Sequence, residues 1–158
     1  MNESESLKTT LSSVFRRKGH NGQYTRLFED LESFHRNALL ENVQLNRGEL
    51  PVIGGVASQD RWLMITTERV VWRVGDKTHA VSVTDIRDAV ADFHGLQASG
   101  CTKLQMRELR IETMTHEQHV IEVEEGGPLS GVWNALKNLG ARNRQTKVAP
   151  SRRPGNSS

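Results

Sequence analysis

The residues best suited to chemistry in this chain form the run His116-Glu117-Gln118-His119. A metalloprotease-type zinc helix needs two histidines four apart on one face with a glutamate between them. Here they are three apart in a stretch that reads as a turn, and no third ligand accompanies them, so a solvated hairpin tip is the better reading and no metal is expected. Cys101, the single cysteine, follows His94 by seven positions in the glycine-rich stretch HGLQASGC. Nucleophilic catalysis needs a base in reach of the thiol and a third group to orient it. The spacing supplies neither, and the thiol reads as an ordinary loop or strand-start residue. Gly54-Gly55, Gly95 and Gly126-Gly127 are followed by no Lys-Ser/Thr step, so they form no phosphate-cradling loop. The chain is therefore read as non-enzymatic, with no cofactor.

Binding residues are easier to nominate. Arg16, Arg17 and Lys18 give a basic edge to a short apolar stripe of Leu7, Leu11, Val14 and Phe15, a pattern suited to a partner protein or an anionic membrane surface. Arg61 and Trp62 open a strand, and an aromatic exposed on a sheet makes a good partner anchor. These five are the candidate partner-binding residues.

The totals narrow the class. The 158 residues hold 21 basic and 19 acidic side chains, and five of the basic ones follow Gly140 with no acid among them, which leaves about −3 for residues 1–140. That distribution argues against a nucleic-acid face. One cysteine permits no internal disulfide and suits a reducing compartment. The N-terminus lacks the apolar core of a secretory signal, and no run approaches the roughly 18 apolar residues of a membrane span, so the chain reads as a soluble cytoplasmic protein.

The elements that position these residues follow from period and turn chemistry. The stripe from Ser6 to Lys18 predicts a first helix, with Gly19 as a left-handed stop. Leu27, Phe28, Leu31, Phe34, Ala38 and Leu39 predict a second, beginning near Tyr24, with a wider apolar face. The second should lie against the domain; the first should be held loosely as a mobile contact arm. From Leu50 the pattern changes to short β-branched runs at 50–56, 61–65, 70–74, 78–83, 109–113 and 120–123, separated by hairpin-length turns. Thr84 to Phe93 is ambiguous: Ile86, Ala89, Val90 and Phe93 match a helical period. Pro128 then opens a last helix through Leu129, Val132, Trp133, Leu136 and Leu139, with Trp133 expected to be buried against the sheet. Residues 141–158 are poor in apolar side chains and are expected to be disordered and to add nothing to stability.

Three stretches carry a family resemblance: LMITTERVVW, in which an apolar strand turns through a Thr-x-x-Arg step into an aromatic-bearing strand; AVSVTDIRDA, in which a strand leads into Asp-Ile; and Trp133 in a terminal helix after the last hairpin. From about Leu50 to Gly140 the chain resembles the pleckstrin-homology-like superfold, most closely its small bacterial and GRAM-like members. The resemblance implies an α+β fold, an antiparallel barrel or sandwich of about seven strands closed by a C-terminal helix, with residues 84–93 as a strand. The expected layout is a helical pair at 1–45, the pleckstrin-homology-like domain at 46–140 and a basic tail at 141–158. Members of the superfold are chiefly binding modules, which implies a protein-interaction role, one form being an immunity protein that neutralises a toxin; a peripheral membrane module is the alternative. Phosphoinositide grippers carry several Lys and Arg around the first hairpin, whereas the matching loop here, Ala57-Ser58-Gln59-Asp60-Arg61, holds one acid and one base.

Overall fold

The computed structural model describes residues 2–91 and 107–151. Cys101, His94 and Phe93, and the tail beyond Ser151, lie outside the described residues. The architecture is α+β: two antiparallel sheets, of five and three strands, with three helices among the described residues. The sheets remain separate and do not close into a barrel.

The first helix, α1 (Glu3–Lys18), starts earlier than its apolar stripe because Asn2 and Glu5 form a reciprocal capping box: the Asn2 side chain accepts from the Glu5 N–H and the Glu5 carboxylate from the Asn2 N–H. Its Leu11 and Phe15 are fully buried in the main core. The expectation of a loosely held arm is therefore wrong. α1 packs on the C-terminal helix α3 (Gly127–Ser151). Gly19 is extended, with φ −153°, rather than left-handed. Its value is closeness: a Cβ there would meet the Gly127 oxygen at 2.2 Å, and one on Gly131 would meet the Phe15 ring at 2.6 Å. Glycine on both sides lets the two helix backbones approach where side chains would hold them apart.

The segment read as one long second helix divides. Thr25–Leu27 is a short strand, β1; Phe28–Asp30 is a single 3-10 turn; only Ser33–Asn42 is helical, as α2. Leu27 pairs with Ile53 in the sheet, so its apolar side chain serves a strand rather than a helix face. In α2 only Leu39 is buried, and Phe34 is 62% exposed. The first helix thus belongs to the main core, contrary to the expectation, while the segment from Phe28 to Leu39 lies against the domain as expected, over the outer face of the larger sheet.

Strands β2 (Pro51–Ser58), β3 (Arg61–Thr66), β4 (Arg69–Val74) and β5 (Lys77–Ser82) form a meander with β1 added to its first edge. After a 3-10 turn at Val83–Asp85 come β6 (Ile86–Val90), β7 (Glu108–Thr113) and β8 (Gln118–Glu122), the second sheet. Within the ambiguous segment Ile86–Val90 is strand, and Thr84 and Asp85 belong to the 3-10 turn before it. Both faces of the larger sheet are buried over β2, β3 and β4. Leu63, Ile65, Val70 and Trp72 turn inward to the main core with α1, α3 and the second sheet. Trp62, Met64 and Val71 turn outward under Phe28, Leu31, Leu39 and Val43.

α3 runs on to Ser151, eleven residues past the expected end at Gly140. The Asn143 side-chain amide donates to the carbonyls of Val83 (2.7 Å) and Ile86 (2.6 Å), at the corner where one sheet passes into the other. Arg144 donates to the Arg87 carbonyl, and the Trp133 indole N–H to that of Ala89 at 3.0 Å. Side chains of α3 thus cap backbone carbonyls along β6, one way a protein covers a sheet edge. Asn143 and Arg144, read as part of a disordered tail, instead lie on a helix and bond the backbone of the sheet. Trp133 itself is half-buried, its ring under the Lys137 ammonium at 4.7 Å, while the fully buried positions of the helix are Val132, Ala135 and Leu136.

Candidate functional site

His79, Trp72, Leu63, Gly55 and Thr25 are cross-strand partners in one row on the inner face of the larger sheet. β8 crosses above this row. Its His119 ring meets Trp72 edge-on at 5.7 Å, and Glu122 pairs with Arg61 at 3.2 Å. Just beyond the strand, the Glu124 carboxylate accepts the backbone N–H groups of Gln23 (2.7 Å), Tyr24 (3.0 Å) and Thr25 (2.8 Å). Between this crossing strand and the β2–β3 and β4–β5 turns lies a small mouth of about 120 Å³, lined by Tyr24, Arg61, Trp72, Arg73, Arg107 and Glu122 among others.

Two of the three arginines of the mouth are matched by carboxylates, and the third bonds a backbone carbonyl. Arg61 faces Glu122, Arg107 bonds Glu125 at 2.6 Å, and Arg73 donates to the Gly75 carbonyl at 2.8 Å. Burial, and then the Glu124 carboxylate, push the Tyr24 hydroxyl above its ordinary pKa, so it stays protonated and offers a neutral hydrogen-bond donor. Two carboxylates, Glu122 and Glu124, line the mouth together with its three arginines.

The structure separates the five nominated residues. Arg61 and Trp62 both line the mouth. Trp62 is 5% exposed and packs in the outer core cluster, so it is no exposed anchor; its indole N–H has no partner among the described residues. Arg16, Arg17 and Lys18 are exposed at the end of α1, do not line the mouth, and Arg16 already pairs with Glu29 at 3.3 Å. The two histidines of the opening motif diverge: His116 bonds Glu112 at 3.1 Å while His119 lies against Trp72.

A buried polar cluster went unread. The Glu49 side chain is wholly shielded and accepts from Arg69 Nε (2.9 Å), the Thr66 hydroxyl and the Asn46 N–H (2.8 Å). Thr66 Oγ1 in turn accepts the N–H groups of Glu68 and Arg69, each at 3.0 Å. The Thr-x-x-Arg step is therefore a turn lock that binds the segment before β2, and the step was legible, although its carboxylate partner 17 residues upstream was not.

Comparison with family models, with curated proteins and with solved structures yields no match.

Proposed function

We propose that the chain is a pleckstrin-homology-like binding module whose partner is another protein. The order of elements supports the fold assignment: a four-stranded meander, a three-stranded one crossing it, and a C-terminal helix carrying Trp133 against β6. Fold alone does not name a function. The observation that carries the reading is the mouth. At about 120 Å³ it is well below the roughly 300 Å³ at which small-molecule sites begin, and two of its three arginines, Arg61 and Arg107, are paired with carboxylates of the same chain.

Membrane attachment through α1 is the weaker reading. Leu11, Val14 and Phe15 point into the core, and none of the exposed large apolar residues lies on that helix, so its basic end has no apolar face to insert. Among the described residues no helix is long and apolar enough to cross a membrane.

The test is co-expression with the products of the reading frames that adjoin the gene, followed by size-exclusion chromatography, alongside sedimentation with anionic vesicles. A stable complex with one product is expected, and in the immunity form of the role the chain also restores growth in the presence of a toxic neighbour. Salt-sensitive sedimentation with vesicles and no protein complex would overturn the reading.

A further inference from the structure

Among the described residues β5 pairs with β4 alone, in register without a bulge from Lys77 to Ser82. Gly75, at φ +65°, opens the two-residue turn between them. In such a hairpin the residues closing the turn exchange both backbone bonds and the pairs then alternate, so Val74–Lys77, Trp72–His79 and Val70–Val81 are the bonded pairs. The bond from the Val83 N–H to the Glu68 carbonyl, 2.9 Å, falls on the same alternation. Thr78 and Ala80 therefore turn N–H and C=O away from the sheet, and no described residue meets them. The side chains from Lys77 to Ala80 are all exposed. Of the other three edges, β1 has three residues, carbonyls along β6 are taken by α3 side chains, and β8 crosses the larger sheet with His119 on Trp72 and Glu122 on Arg61. Stable proteins commonly blunt an open edge with charge; here Lys77 stands only at its start.

β5 also runs between two cavities. On the outer face a space of about 580 Å³ lies between β4–β5 and residues 42–46, its apolar walls formed by Val43, Leu45, Val71 and Ala80. Its one cation, Arg69, is held by Glu49. On the inner face a space of about 220 Å³ lies between β5 and the β7–β8 turn, walled by Val81 and Met114, with Asp85 and Glu117 and no Lys or Arg. Successive side chains of a strand point to opposite faces. A strand laid along β5 thus sends alternate residues into an apolar space and into an acidic one.

We propose that the β5 edge is a strand-addition site for an extended segment of the partner protein, in which Lys or Arg alternates with aliphatic residues. The cations enter the inner space beside Asp85 and Glu117, and the aliphatic side chains enter the outer one. Backbone bonds to Thr78 and Ala80 hold the segment, and the two spaces select its side chains. This rests on the protein-binding reading and specifies its surface.

The probe is a synthetic nine-residue peptide alternating lysine and valine, titrated into the full chain with amide chemical shifts and hydrogen exchange as readouts. Expected are shifts and slowed exchange at Thr78 and Ala80, and binding weakened roughly tenfold or more, about 1.4 kcal/mol, by N-methylating alternate peptide amides. Asp85→Asn with Glu117→Gln should weaken the lysine peptide but not a threonine–valine one. Equal binding of the N-methylated peptide, or no binding of any peptide, overturns the proposal. If a protein partner found by co-expression binds an Ala80→Pro chain undiminished, the edge assignment fails while the protein-binding reading stands. If there is no such partner at all, the reading itself fails.

Discussion

Glu49→Gln keeps the shape of the side chain and an oxygen for its neighbours but removes the charge facing Arg69. The carboxylate is wholly shielded, whereas the Arg69 side chain is 30% exposed. Breaking a buried ion pair by removing one member costs about 3–5 kcal/mol. Here the arginine left behind can turn to water, which places the loss nearer 2–3 kcal/mol by the worth of charged hydrogen bonds, or roughly 5–10 °C in Tm for a domain of this size. The pH dependence is more specific. Burial pushes the Glu49 carboxyl up, but the Arg69 guanidinium, the Thr66 hydroxyl and the Asn46 N–H together outweigh it and hold the pKa below the ordinary 4.5. A carboxylate depressed in the folded state contributes fully above its unfolded pKa and loses that contribution as pH falls through the folded value. Urea unfolding followed by tryptophan fluorescence should therefore show the gap between wild type and variant widest at neutral pH and closing in acid below about pH 4.5. A midpoint unchanged at neutral pH, or a gap that does not vary with pH, would refute the turn lock.

Asn143→Ala should lower stability by about 1–3 kcal/mol, because it strips two buried carbonyls of their donor, and ending the chain at Ala141 should cost at least as much; equal melting of the shortened and full chains would show that the last turns of α3 do not dock. Gly131→Ala tests the α1–α3 contact. Helix propensity alone predicts a gain of about 1 kcal/mol, whereas the clash with the buried Phe15 ring predicts a loss of about 1–3 kcal/mol, so the sign of the change in urea midpoint decides. Trp62→Phe removes an indole N–H that has no partner among the described residues, whereas Trp72→Phe trims a ring stacked on His79 and met by His119, so the first should cost less in the same unfolding assay.

The strands were legible because their signals are local. In 61–65, 70–74 and 109–113 the β-branched runs and the turn residues between them encode alternation and reversal within a few positions, and Pro128 marks the start of α3 in the same way. The Thr66-x-x-Arg69 step could likewise be read as a turn. What could not be read was which surface each element would meet. Leu27, Phe28 and Leu31 fit a helical period, yet Leu27 became a strand residue because Ile53 lies beside it. The narrow stripe of α1 went to the core because Gly127 and Gly131, more than a hundred residues away, let it approach. Arg61 looked free until Glu122 crossed above it, and Asn143 looked like tail until the carbonyls of Val83 and Ile86 came within reach. A period of two or a turn residue acts on the backbone that carries it, so sequence alone determines it. A pairing between distant residues gains its energy only when the chain has brought them to contact distance, so burial, charge matching and the open β5 edge were decided by the tertiary structure.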